Sequence, residues 1–356
     1  MRQLSQIYLL LLLIFGLTGC QSLHYYQQAA NGQLSLLWNR KPIDDVLADP
    51  TTPDALREKL TLAMEARDFA AEQLALPVDD TFSDFVALDQ PYVVYNLMVA
   101  PEFSLEPLAW CYPIVGCQSY RGYFHLDDAR AARECYARED MDTFIGGVTA
   151  YSTLGWFDDP LQSGFTTLPD EQMVALMLHE LAHKVIYVAD DTRFNESFAT
   201  AVELEGLKLW LELTDQPDKY QVTLMRLERW GATLELIEQT AHRLSELYGQ
   251  RAALDASVLR ERKTDILLQL QSDYAQLEEA WGQPGPLSGV IAEINNAVLG
   301  LFRQYNADVP GFRQMLADTD GDFARFYDEV KELARAPADV RRRRLEALGE
   351  SFNEDL

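Results

Sequence analysis

The chain has 356 residues, and 30 Lys+Arg against 56 Asp+Glu leave a formal net charge of −26. A hydrophobic content of 48 % is enough for a sizeable core and excludes wholesale disorder. The acidity argues against a nucleic-acid partner, because a phosphate-binding surface needs a basic face.

Arg2 opens the chain with a positive charge, and Ile7 to Leu17 follows as an apolar stretch broken only by Gly16. A membrane-spanning helix needs ~20 apolar residues, so residues 1–19 read as a signal peptide. Leu17-Thr18-Gly19-Cys20 resembles the bacterial lipobox, which implies a lipid on Cys20 as the first residue of the mature chain. Gln21, and not Asp, comes next, which by the same resemblance implies sorting to the outer membrane, facing the periplasm. The membrane is then a partner through an N-terminal lipid anchor, each buried methylene contributing ~0.8 kcal/mol.

Residues 21–42 read as a polar lead-in followed by a helix or two. Pro53-Asp54-Ala55-Leu56 opens a helical pattern running to about Leu76. Tyr92 to Val99 is β-branched and aromatic and predicts a strand, and Tyr120 to Phe124 and Ile145 to Trp156 continue a strand-rich section. Cys111 and Cys117 bracket a five-residue loop and are the favoured disulfide, although pairing of either with Cys135 stays open. None of the three has a His nearby at zinc-ligand spacing, so they read as structural.

Pro169 opens a long helix, with Thr167 as the expected N-cap. From there the chain reads as helical to its end. An amphipathic seam from Tyr220 to Leu247 is followed by a helix over about 252–281 that can fold back as a hairpin, and Gln283-Pro284-Gly285-Pro286 is the clearest breaker. Arg341 to Arg344 reads as a solvated helix face or a frayed tail. The expected organisation is a leader (1–19), a catalytic region (20–215) with a small sheet at about 91–157 and paired helices at about 167–213, and a helical region (216–356).

His179-Glu180-Leu181-Ala182-His183 lies in a strongly helical context. Residues four apart on a helix share a face, about 5–6 Å apart, so two imidazoles can converge on one tetrahedral ion. Glu180 points to the flank of that pair, where a carboxylate reaches a metal-activated water without ligating the metal. The pattern predicts Zn²⁺ with Glu180 as general base.

A third ligand is expected downstream, where Asp190-Asp191-Thr192 offers a turn and an N-cap before a helix from about Arg193 to Leu213. If the two helices form an antiparallel hairpin, residues equally far from the turn meet. His183 and Glu196 satisfy that condition, and Glu203 does not. Glu203 lies two turns beyond Glu196 on the same face, about 10 Å away, so both cannot bind one ion. Glu196 is the expected ligand, and Glu203 the carboxylate that orients a ligand or an active-site Arg.

His179-Glu-Leu-Ala-His183 followed by Asn195-Glu196-Ser-Phe-Ala199 resembles the gluzincin metallopeptidases. The spacing from His183 to Glu196 is shorter than in the better-known members. That compact form, with Asp190-Asp191-Thr192 and Tyr151-Ser152-Thr153-Leu154-Gly155, resembles a family of predicted bacterial lipoprotein aminopeptidases. The likeness extends to Trp110-Cys111-Tyr112-Pro113, Tyr120-Arg121-Gly122-Tyr123-Phe124 and Asn295-Asn296-Ala297. It implies an α+β, predominantly α-helical fold: a zincin-like catalytic core with a small sheet, then a large helical C-terminal half. It also implies peptide hydrolysis in the cell envelope and an electrophile at the scissile carbonyl. Tyr305 is preferred for that role over Tyr151 and Tyr187. Gly146 to Ser152 resembles the edge strand that aligns substrate in such enzymes. An exopeptidase further needs a carboxylate for the substrate α-ammonium, with Asp158, Asp159 and Glu102 as candidates. The rival readings are a zinc endopeptidase and a non-catalytic helical lipoprotein that binds a periplasmic partner.

Overall fold

A computed structural model describes residues 24–112, 116–150, 158–303 and 308–352. The expected signal peptide (1–19), Cys20, Tyr151 and Tyr305 fall outside these residues. The fold is α+β and predominantly helical, as expected.

The first helix, α1, covers 24–39. A short strand β1 (Lys41–Pro42) and helix α2 (Ile43–Ala48) lead to α3 (Asp54–Leu74), which begins after Pro53 and stops at Ala75 in the left-handed conformation. β2 (Asp84–Val86) then precedes β3 (Val94–Ala100), the strand predicted from the Tyr92 region, displaced by one or two residues. A hairpin of β4 (Trp110–Tyr112) and β5 (Gly116–Gln118) is closed by the Cys111–Cys117 disulfide. Cys135 takes no part in it; its thiol donates to Ala131 O at 3.6 Å. β6 (Tyr120–Tyr123), α4 (Leu126–Ala137) and β7 (Asp142–Val148) follow. β3 is the middle strand of an antiparallel sheet in the order β6-β3-β7, with Asn96 opposite both Gly122 and Gly146. β8 (Leu161–Gln162) pairs in parallel with β2, which pairs with β1 to make a second small sheet.

α5 (Asp170–Ala182) and α6 (Thr192–Leu213) form the antiparallel pair that the sequence predicts. Thr167 is not the N-cap of α5: it ends a short 3-10 turn, its hydroxyl donating to Gly164 O, and Pro169 precedes the helix without a side-chain cap. Proline fixes the entry dihedral by itself, so no cap is needed to start the turn. α5 is apolar nearly all round because it is the buried centre of the main core, where Met173, Met177, Leu178 and Leu181 are fully buried. Each such side chain contributes roughly 1.5–3 kcal/mol of transfer free energy. Gly206 of α6 lets α3 and α5 approach, since a Cβ there would stand 2.7 Å from Leu74 and 2.9 Å from Leu178.

α7 (Asp218–Gly249) and α8 (Ala256–Trp281) make the expected hairpin around their own apolar cluster. α9 (Asn296–Arg303), α10 (Val309–Asp318), α11 (Phe323–Ala334) and α12 (Ala338–Gly349) complete the chain. Arg342, Arg343 and Arg344 are solvated, as the basic run suggests, but Arg341 is buried and pairs with Asp191 at 2.5 Å. The reading of the whole run as a solvated face therefore fails at Arg341. Helical geometry turns one residue in four inward here, and an acidic partner waits there.

Candidate metal centre

α5 ends at the site it builds. His179 lies in its last turn and His183 is its C-cap. α6 starts on the N-cap Asp191, whose carboxylate accepts from Phe194 N at 3.2 Å. The loop between the two helices is sealed by Asn195, which accepts from Val188 N and donates to Val188 O, both at 2.8 Å. Those two bonds fix the first turn of α6 against the end of α5, and so fix Glu196.

His179 Nε2 and His183 Nε2 are 3.2 Å apart. Glu196 reaches His179 Nε2 at 3.4 Å with Oε2 and His183 Nε2 at 3.9 Å with Oε1. The three residues can place one ligand atom each within 4.8 Å of the others, a group able to hold a metal ion. With metal–ligand distances near 2.0–2.2 Å, tetrahedral ligands stand ~3.3–3.6 Å apart, so the donor set fits a divalent ion with one position left over. Glu203 does not join them. Its Oε2 accepts from His179 Nδ1 at 3.0 Å, on the far side of the ring. That bond leaves Nε2 facing Glu196 and His183.

The electrostatics of the protein alone describe a space that favours positive charge. Burial disfavours a charged His179, but the hydrogen bonds that its ring nitrogens donate to Glu196 and Glu203 overcome it and hold its pKa well above the usual value. Burial and the neighbouring His179 charge push His183 down to about 4. Burial also pushes Glu180 up to about 7, against the attraction of His179. Burial opposes ionisation of Glu196, yet the hydrogen bond from His179 lowers its pKa. The Glu196 and Glu203 carboxylates thus favour positive charge at His179, where a bound cation would take the place of a proton. His183 Nδ1 is buried without a protein partner, so its ring is oriented by packing and by Nε2.

These residues form the floor of a cleft of about 530 Å³. Glu180 lies beside the ligands. The sheet supplies the roof through Val94 and Asn96 of β3, Tyr120 and Gly122 of β6, and Val148 of β7. Tyr112 and Gln118 of the disulfide hairpin form one end, and Asp190 Oδ1, accepting from Cys117 N at 2.9 Å, ties that hairpin to the loop between α5 and α6. Gly116 has φ +73°, and a Cβ there would meet Asp190 Oδ1 at 2.5 Å. Tyr25, Tyr26 and Ala29 of α1 form a further wall.

The other predicted residues separate. Tyr187 accepts a hydrogen bond from Gln118 Nε2 at 3.3 Å and is not among the residues lining the cleft. Glu102 is engaged by Arg260 at 2.5 Å, at the α8 side of the sheet. Asp158 lies 3.8 Å from Lys184. Asp159 is buried, and its charge is a lesser contributor to the raised pKa of Glu180. Sequence reasoning missed α1, Asn96, Tyr120 and Gln118. The doublet Tyr25-Tyr26 and the apolar spacing that follows it were the available signal.

No curated protein and no solved structure matches the chain. A family model described as "Putative aminopeptidase" matches residues 24–345, from the first turn of α1 to the middle of α12. With nearly its whole length matched, and a His-His-Glu group at the floor of its cleft, the chain belongs to that aminopeptidase family.

Proposed function

We propose that the chain is a zinc-dependent aminopeptidase of the gluzincin type, tethered by a lipid on Cys20 to the bacterial outer membrane and acting on peptides in the periplasm. The observation that carries the reading is the convergence of two Nε2 atoms and the Glu196 carboxylate, with Glu180 on their flank and an open cleft above. What zinc supplies when bound is Lewis acidity, which brings the pKa of a water from 15.7 towards ~7 and polarises a carbonyl. A structural zinc site fills all four positions with protein ligands and has no use for Glu180.

Glu180 accepts the proton of the attacking water and passes it to the leaving amine. Its partly desolvated carboxyl, with its pKa raised by burial, suits both halves of that transfer at neutral pH. Peptide alignment falls to β7. Val93 N donates to Val148 O, so Val148 faces β3, and strand alternation turns the exposed Gly147 to the free edge. An extended peptide can add there. Tyr305 remains our assignment for the group at the scissile carbonyl.

A second reading, an endopeptidase with the same centre, draws on one feature. Among the described residues that line the cleft, the carboxylates are Glu180 and Glu196, both engaged in the chemistry. The test is a screen of aminoacyl amides against N-terminally blocked peptides, with Glu180→Gln as the control. Cleavage of free-amine substrates alone supports the aminopeptidase, cleavage of blocked peptides the endopeptidase, and activity retained in Glu180→Gln removes the general base.

A further inference from the structure

α1 has two opposed faces. Gln28, Gly32 and Leu36, spaced four apart, are buried against the sheet. Gln28 accepts from Phe124 N at 3.0 Å and donates to Gly122 O at 3.3 Å, and Gly32 lies against the Phe124 ring, where a Cβ would stand 2.0 Å from it. On the other face, Tyr26, Ala30, Leu34 and Trp38 recur at the same interval and are turned to solvent. Tyr26 is 51 % exposed, Leu34 42 % and Trp38 79 %. Three of the nine exposed large apolar side chains among the described residues thus fall on this one helix.

Charge sets this part of the chain apart. No Asp or Glu precedes Asp44, although the chain carries 56 in all. α1 itself therefore brings no negative charge to an anionic leaflet, although Asp128 of α4 stands 3.7 Å from His24 at its first turn. Tether length decides the occupant. Cys20 and the first residue of α1 are four residues apart, which extended chain spans by at most ~14 Å. A lipid on Cys20 therefore holds the first turn of α1 within about one helix diameter of the headgroups, and Trp38, about 21 Å further along, meets them when the helix lies in the surface plane. Trp and Tyr favour that interface, and a helix with one apolar stripe lies in its plane.

We propose that α1 lies on the bilayer surface with Tyr26, Leu34 and Trp38 among the headgroups and upper acyl chains. This inference rests on the lipid attachment at Cys20 proposed above. Tyr25, Tyr26 and Ala29 of the same helix wall the cleft, so the cleft opens beside the membrane, and the substrate class is a peptide whose end comes close to a lipid surface.

The test uses the full-length lipidated protein reconstituted into phosphatidylethanolamine–phosphatidylglycerol vesicles whose acyl chains are brominated near the headgroup. Trp38 is one of 6 tryptophans, so its share of the emission is isolated by comparing wild type with Trp38→Phe, a conservative change at an exposed position. The expected result is quenching in wild type that is lost in Trp38→Phe. Equal quenching, or none, in both proteins overturns the docking while flotation with the vesicles leaves the anchor standing. Trp38 shielded from acrylamide but untouched by brominated lipid assigns the stripe to a protein partner or a second copy, and also overturns it. Failure to float overturns anchor and docking together. None of these outcomes depends on peptide hydrolysis, so the aminopeptidase reading is tested separately.

Discussion

His179 is held through both ring nitrogens, Nδ1 on Glu203 at 3.0 Å and Nε2 aimed between His183 and Glu196. A metal in the proposed site would therefore feel Glu203 through His179 and Glu196 directly. In a chelator competition, Glu203→Ala is expected to weaken zinc binding about 10–100-fold, the range for outer partners of ligands. Glu196→Ala is expected to weaken it further, and the reverse order contradicts the assignment. Glu180 allows a second prediction, on the metal-free protein. Its carboxyl ionises near 4.5 in the unfolded chain and at about 7 in the fold, so only the unfolded chain gives up its proton as pH rises through that window. Stability is lost across it, by ~3 kcal/mol once pH exceeds 7. Metal-free Glu180→Gln should melt above metal-free wild type at pH 8, with the gap closing towards pH 4.5. A gap that does not change with pH would remove the desolvation argument.

At the scale of elements, the parts of the site close in sequence were legible and the distant parts were not. The two His and Glu180 are fixed by one helix, and Glu196 by a turn whose N-cap and length can be read from Asp190-Asp191-Thr192. The four-residue spacing of the ligands and the helix–turn–helix geometry need no long-range information. The roof of the cleft does. Asn96, Tyr120 and Val148 come together only through strand register, and α1 joins them through Gln28, 94 residues before Gly122 in the chain. The Tyr25-Tyr26 doublet and the spacing after it point to a helix, but not to the amide of Gln28 that docks it on Gly122 and Phe124. Gly32 tests that docking. A Cβ at this position collides with the Phe124 ring, so Gly32→Ala should cost roughly 1–3 kcal/mol in urea denaturation, the usual range for overpacking, despite the higher helix propensity of alanine. A stabilised variant would show that α1 does not sit where the structure places it.

Across the whole molecule, the C-terminal helices brace the metal helices. Arg341 of α12 makes its ion pair with Asp191, the N-cap of α6, and Arg193 of α6 pairs with the buried Asp308 before α10. The catalytic and helical regions drawn from the sequence are joined by these contacts at the first turn of the helix that carries Glu196. Removing one partner of such a buried pair leaves the other uncompensated. Arg341→Ala is expected to lower stability by on the order of 3 kcal/mol, while Arg343→Ala, which breaks only an exposed pair with Asp339, should stay within about 0.5 kcal/mol of wild type. Equal effects in thermal unfolding would show that α12 does not support α6.

The proposed hydrolysis depends on one ion among His179, His183 and Glu196. Anomalous X-ray scattering from crystals of the zinc-loaded protein measures this directly. The account predicts a single strong site ~2.0–2.2 Å from both Nε2 atoms and from the Glu196 carboxylate, with Glu203 beyond ligand distance. Zinc bound elsewhere, or coordinated by Glu203 in place of Glu196, would contradict it.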